Sequence, residues 1–76
     1  MLYTINRLRQ LKPGEMLRFY RGTPFEAMSK QPPDYYAMMM QVRDEMNMLV
    51  QTGRISVDRH KSSQPPFEAT YIAKGL

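Results

Sequence analysis

The sequence predicts an α+β fold: a short N-terminal helix, one long helix and a small three-stranded antiparallel sheet, in a single domain over residues 1–76. Three observations predict it. A long amphipathic pattern opens at Pro33 and stops at Thr52-Gly53. Two segments that alternate in polarity follow it, joined by a polar, basic stretch. A third alternating segment precedes it, cut off on both sides by Pro and Gly.

Taken in order, Thr4 is a candidate cap for a helix over Ile5–Leu11, with Ile5, Leu8 and Leu11 on one side. Lys12-Pro13-Gly14 ends it, because Pro disfavours helix in the residue before it and Gly permits a sharp turn. Glu15–Arg21 reads as a strand with Leu17 and Phe19 on one face and Arg18 and Tyr20 on the other. Gly22-Thr23-Pro24 ends the strand. Phe25–Lys30 has two readings: one or two helical turns with Phe25 and Met28 facing inward, or a loop.

Gln31-Pro32-Pro33 then opens the long helix, where Pro33 suits the first turn and Asp34 favours the positive end of the helix dipole. Tyr35, Met38, Met39, Val42, Met46, Leu49 and Val50 recur at three- and four-residue steps and form the expected core stripe. Gly53 supplies the stop, since it tolerates the left-handed cap conformation. Arg54–Arg59 and Phe67–Lys74 read as strands, with a basic connection over His60–Pro66.

Charge and composition narrow the function. Eleven Lys and Arg against seven Asp and Glu give +4, which favours polyanions at long range. The charge is uneven: residues 1–31 carry +4, residues 32–51 carry −2 and residues 52–76 carry +2. The two ends are positive and the long helix is negative. The chain has no cysteine, which removes disulfides, thiolate metal sites and thiol catalysis. No apolar stretch approaches the roughly 20 residues that span a bilayer, and Met1–Arg7 lacks the pattern of a signal peptide. The expectation is a soluble, cytoplasmic protein with no membrane role.

The run Leu49–Arg59, followed by Phe67–Ile72, resembles the helix-to-wing junction of winged-helix proteins. There a Leu-rich helix end, a Gly and an apolar strand lead through a basic hairpin to an aromatic-bearing strand. The whole chain is also similar to small phage and prophage proteins that carry a Pro-Gly-Glu strand before this junction. The resemblance implies duplex DNA binding, with a helix in the major groove and the wing on the backbone. Phosphates require Lys or Arg, and base edges are read by Arg, Asn or Gln. Arg54, Arg59 and Lys61 are the phosphate candidates, at the base and tip of the wing. Arg43 and Asn47 are the base-reading candidates on the long helix, although Asp44 and Glu45 lie beside them.

Two further groups carry a functional and a structural reading each. Arg18 and Tyr20 on one strand face would stack and hold a single strand, or simply cover the sheet. Tyr36, Met40 and Met48 fall off the core stripe and would offer an adaptable surface to a protein partner or a second copy of the chain, or fill the core on another side. A protein-interaction module using that surface, such as an adaptor or inhibitor, is the rival to nucleic-acid binding. No catalytic residues, metal ligands, cofactor or small-molecule substrate are expected. His60 is the sole histidine and lies between Arg59 and Lys61, and the adjacent Asp44 and Glu45 point different ways on a helix.

Overall fold

The computed structural model describes residues 2–76. Helix α1 spans Leu2–Arg9, strand β1 Met16–Gly22, a 3-10 helix Phe25–Lys30, helix α2 Pro33–Gln51, strand β2 Ile55–Lys61 and strand β3 Ala69–Gly75. The three strands form one antiparallel sheet in the order β1-β3-β2. The fold is therefore α+β, with three helices against one face of the sheet.

Helix α1 begins before Thr4, which lies inside it and does not cap it. Nothing in Leu2-Tyr3-Thr4 resists helix, so the first turn forms ahead of the expected cap. Ile5 and Leu8 are buried and Leu11 is half-buried, as their spacing requires. The segment Phe25–Lys30 is the 3-10 helix, with Phe25 and Met28 buried. β2 runs on to Lys61 and β3 starts only at Ala69. The turn explains the late start, because Phe67 takes the left-handed conformation (φ 57°) and leaves the ladder.

At the end of α2 the chain closes in a Schellman motif. Gly53 takes φ +74°, its N–H donates to Val50 O (3.1 Å), and the Arg54 N–H donates to Leu49 O (2.9 Å). Ile55 thus enters the sheet directly from the helix end. Gly75 seals the opposite end. Its N–H donates to Glu15 O and its carbonyl accepts from the Gly14 N–H, so the Lys12–Glu15 turn lies across it. A Cβ at Gly75 would overlap the Lys12 carbonyl.

The inward face of α2 differs from the stripe read in the sequence. Met39, Met40, Val42, Glu45 and Leu49 are buried, and Met46 is half-buried. Tyr35, Met38 and Val50 are exposed instead. Two contacts cause the shift. α2 packs against the 3-10 helix and β2 as well as α1, so more than one of its sides is covered and Met40 becomes interior. Glu45 is drawn in by Arg9 of α1, whose Nε and terminal nitrogen donate to Oε2 (3.0 Å) and Oε1 (2.8 Å).

The core gathers on an aromatic cluster. Tyr71 of the central strand lies 4.4 Å from Phe25, 5.8 Å from Tyr20 and 6.1 Å from Phe19, centroid to centroid. Tyr20 stacks on Phe25 at 5.1 Å. The Tyr71 hydroxyl accepts the Phe25 N–H (3.1 Å), which ties the 3-10 helix to the sheet.

Replacement of the buried Met39 by Ala is expected to cost about 2–5 kcal/mol in urea unfolding. Val50→Ala, on the exposed side of the same helix, should stay within about 0.5 kcal/mol. The pH dependence of stability has a defined sign. Hydrogen bonding to Arg9, with the charges of Arg9 and Arg54, holds the Glu45 carboxyl below its ordinary range against the opposing effect of burial. Its contribution is therefore full above the unfolded value of about 4.3 and is lost as pH falls through the folded one. The stability gap between the wild type and Glu45→Gln should be widest near pH 7 and close as the solution is acidified.

Candidate nucleic-acid interface

The connection between β2 and β3, the candidate wing, runs from Ser62 to Glu68. Its own hydrogen bonds shape it. The Ser62 N–H donates to Glu68 O (2.9 Å), Ser62 Oγ donates to Gln64 O (3.0 Å) and accepts the Gln64 N–H (3.2 Å), and the Phe67 N–H donates to Gln64 O (2.9 Å). His60 and Lys61, expected in this loop, continue the strand from Arg59, and the three pair with Thr70, Ala69 and Tyr71 respectively. Strand pairing holds their backbones and fixes the face each side chain takes. A hollow of about 290 Å³ lies at the wing root, lined by residues that include Arg21, His60, Lys61 and Ser62.

The register sorts the strand side chains, since directly paired residues share a face. Ala69, Tyr71 and Ala73 point into the core. The other face of β3 presents Thr70, Ile72 and Lys74, flanked by Met16, Arg18 and Arg21 from β1 and by Ser56, Asp58 and His60 from β2. Arg18 is therefore outside, as expected, but Tyr20 is not beside it. A bulge at Phe19 inserts one extra residue between Arg18 and Tyr20 and turns Tyr20 inward. Tyr20 is buried, and its hydroxyl donates to Thr23 O (2.9 Å). The stacking platform of Arg18 with Tyr20 is not formed.

Ion pairs sort the candidate cations further. The Arg59 terminal nitrogen meets both carboxylate oxygens of Glu26 at 2.7 and 2.8 Å. Arg43 is held by its neighbour Asp44 at 3.0 Å. Arg21 lies 3.8 Å from Glu68. Lys61 stands exposed, with no ion pair among the described residues. Arg54 is also exposed, just past the end of α2, and donates to Arg9 O at 3.3 Å.

On α2, Asn47 is exposed and free to reach a ligand. Tyr36 and Met48 are exposed as expected, at 38% and 48%. Met40 is not: at 9% it belongs to the core, whereas Met38 and Val50 are exposed. No cluster of three His, Asp or Glu side chains among the described residues is placed to hold a metal ion. Among the described residues no helix is long and apolar enough to cross a membrane.

Sequence reading missed three of the four ion pairs because their partners lie far apart in the chain. Arg9 and Glu45, and Glu26 and Arg59, meet only when the helices dock. Tyr3 and Arg7 are the exception, since four residues on a helix place side chains side by side. The Arg7 guanidinium donates to the Tyr3 hydroxyl (2.8 Å) and lies 5.6 Å from its ring centre.

Tyr20→Phe removes an interior hydrogen bond and leaves the surface intact. It should cost about 1 kcal/mol in thermal or urea unfolding, with no change in any binding the protein shows. Comparison with protein-family models, with curated proteins and with solved structures finds no match to this chain.

Proposed function

We propose that this chain is a small nucleic-acid-binding protein of winged-helix-like architecture, with DNA as the favoured ligand. The observation that carries the reading is topological. Helix, strand, helix, long helix and hairpin follow one another with the strand order β1-β3-β2, and this order supports a winged-helix-like reading. In that reading α2 is the helix offered to a groove and Ser62–Glu68 is the wing. Lys61, where β2 runs into the connection, and Arg54, at the opposite end of β2, supply phosphate contacts, with His60 on the outer face of the sheet. Asn47 is the base-reading residue on the helix. Arg59 and Arg43 contribute less, because Glu26 and Asp44 already counter their charge.

A second reading rests on a separate observation. The exposed part of α2 carries Tyr36, Met38, Met48 and Val50, and its one arginine is paired with Asp44. Exposed apolar side chains without a free cation suit a protein partner or a second copy of the chain better than a phosphate backbone.

Titration of a labelled DNA duplex at two salt concentrations tests the first reading. Log affinity should fall with log salt at about −0.9 per phosphate neutralised, and Lys61→Ala should flatten the slope by about that amount. Glu26→Gln frees Arg59 and should tighten binding and steepen the slope. Absence of duplex binding at low salt, together with self-association that Met48→Glu abolishes, would replace the first reading with the second.

A further inference from the structure

We infer that the groove between α1 and the free edge of β1 receives an extended acidic segment of a partner protein, added to the sheet as a fourth strand. β1 lies at one margin of the sheet and pairs only with β3. Two hollows of about 240 and 160 Å³ run along its other side. The first touches Glu15, Met16 and Leu17, the second Leu17, Arg18 and Phe19, and Arg7 of α1 borders both. Successive strand residues point to opposite faces. A hollow that touches three in a row therefore lies against the lateral edge of the strand. Backbone groups along that edge have no strand partner, and such an edge templates the addition of another strand.

Charge chooses the occupant. Arg7, Lys12 and Arg18 line the hollows, and none has an ion pair among the described residues. Tyr3 orients the Arg7 guanidinium through its hydroxyl and ring without cancelling its charge. The one carboxylate present, Glu15, is occupied by the Lys12 N–H (2.8 Å). Met16, 65% exposed, adds an apolar contact at the mouth. The complement is a strand that carries carboxylates on both of its faces, toward Arg18 on one side and Arg7 and Lys12 on the other, with apolar side chains between them.

Two other occupants fit less well. A second copy of the chain paired antiparallel through β1 would bring Arg18 against Arg18 or Arg21 of its partner, and like charges opposite one another oppose pairing. A nucleic acid would satisfy the arginines but has no repeating amide and carbonyl to pair with a strand edge. The inference uses neither α2 nor the wing, so it stands apart from the duplex-binding reading.

The test uses the intact protein and a fluorescent peptide of Glu-Glu-Val repeats, which as a strand presents carboxylates on both faces. Controls are the same peptide with Lys for Glu, one with Pro for Val, and a single-stranded oligothymidylate. The Glu-Glu-Val peptide should bind saturably by anisotropy, and the Lys peptide should not bind. The Arg7→Ala, Arg18→Ala double variant should lose affinity by about tenfold or more, the scale of charge-assisted contacts. Backbone amides of residues 16–19 should become protected from hydrogen exchange when the peptide binds. Equal binding of the Pro peptide, no protection along β1, or capture of the oligothymidylate in place of the peptide would each overturn the proposal. Duplex binding of the same double variant is read separately, and its loss or retention leaves this result unaffected.

Discussion

The packing of Tyr71 against Phe25 and Tyr20 is the contact on which the other features rest. Tyr71 sits on the central strand and is 4% exposed. It brings the 3-10 helix onto the sheet through its ring and its hydroxyl together. To meet Phe25, Tyr20 has to face inward. Strict alternation with Leu17 and Phe19 inside would point Tyr20 outward, and the bulge at Phe19 resolves the conflict. The same bulge leaves Arg18 and Arg21 together on the outer face, so one packing requirement sets the surface charge of the sheet.

Carboxylates shape that surface as much as cations do. Four arginines, at 9, 21, 43 and 59, are met by Glu45, Glu68, Asp44 and Glu26. Their formal charge counts toward +4 but little of it is available to a ligand. What remains lies on Arg7, Lys12 and Arg18 along the β1 edge, on Lys30 at the end of the 3-10 helix, on Arg54 and Lys61 at opposite ends of β2, and on Lys74 over the sheet. A polyanion meets these positions, not a uniformly basic protein. The pair of Arg9 and Glu45 has a second effect, since it fixes how α1 lies on α2 and so which side of the long helix is interior.

Much of the fold was legible. Pro and Gly punctuation marked every element, and the boundaries differ from the observed ones by a few residues. Ile5 and Leu8, Phe25 and Met28, and Met39, Val42 and Leu49 are buried as their spacing required. The errors lie where a side chain's place depends on a distant neighbour. Met40 went inside because α2 is covered on more than one side. Tyr20 turned inward to stack on Phe25, which itself packs on Tyr71, more than forty residues further along the chain. The candidate site was less legible: Arg59 reads as a free wing cation until Glu26 is seen against it.

The sequence by itself determined the identity and order of the elements, their stops and the net charge, because those follow from backbone preference, periodicity and composition. Tertiary structure alone decided which face of each element is inside, which cations stay unpaired and where the sheet keeps an open edge. Burial and ion pairing depend on separation in space, and chain position carries little information about that distance until the helices have docked on the sheet.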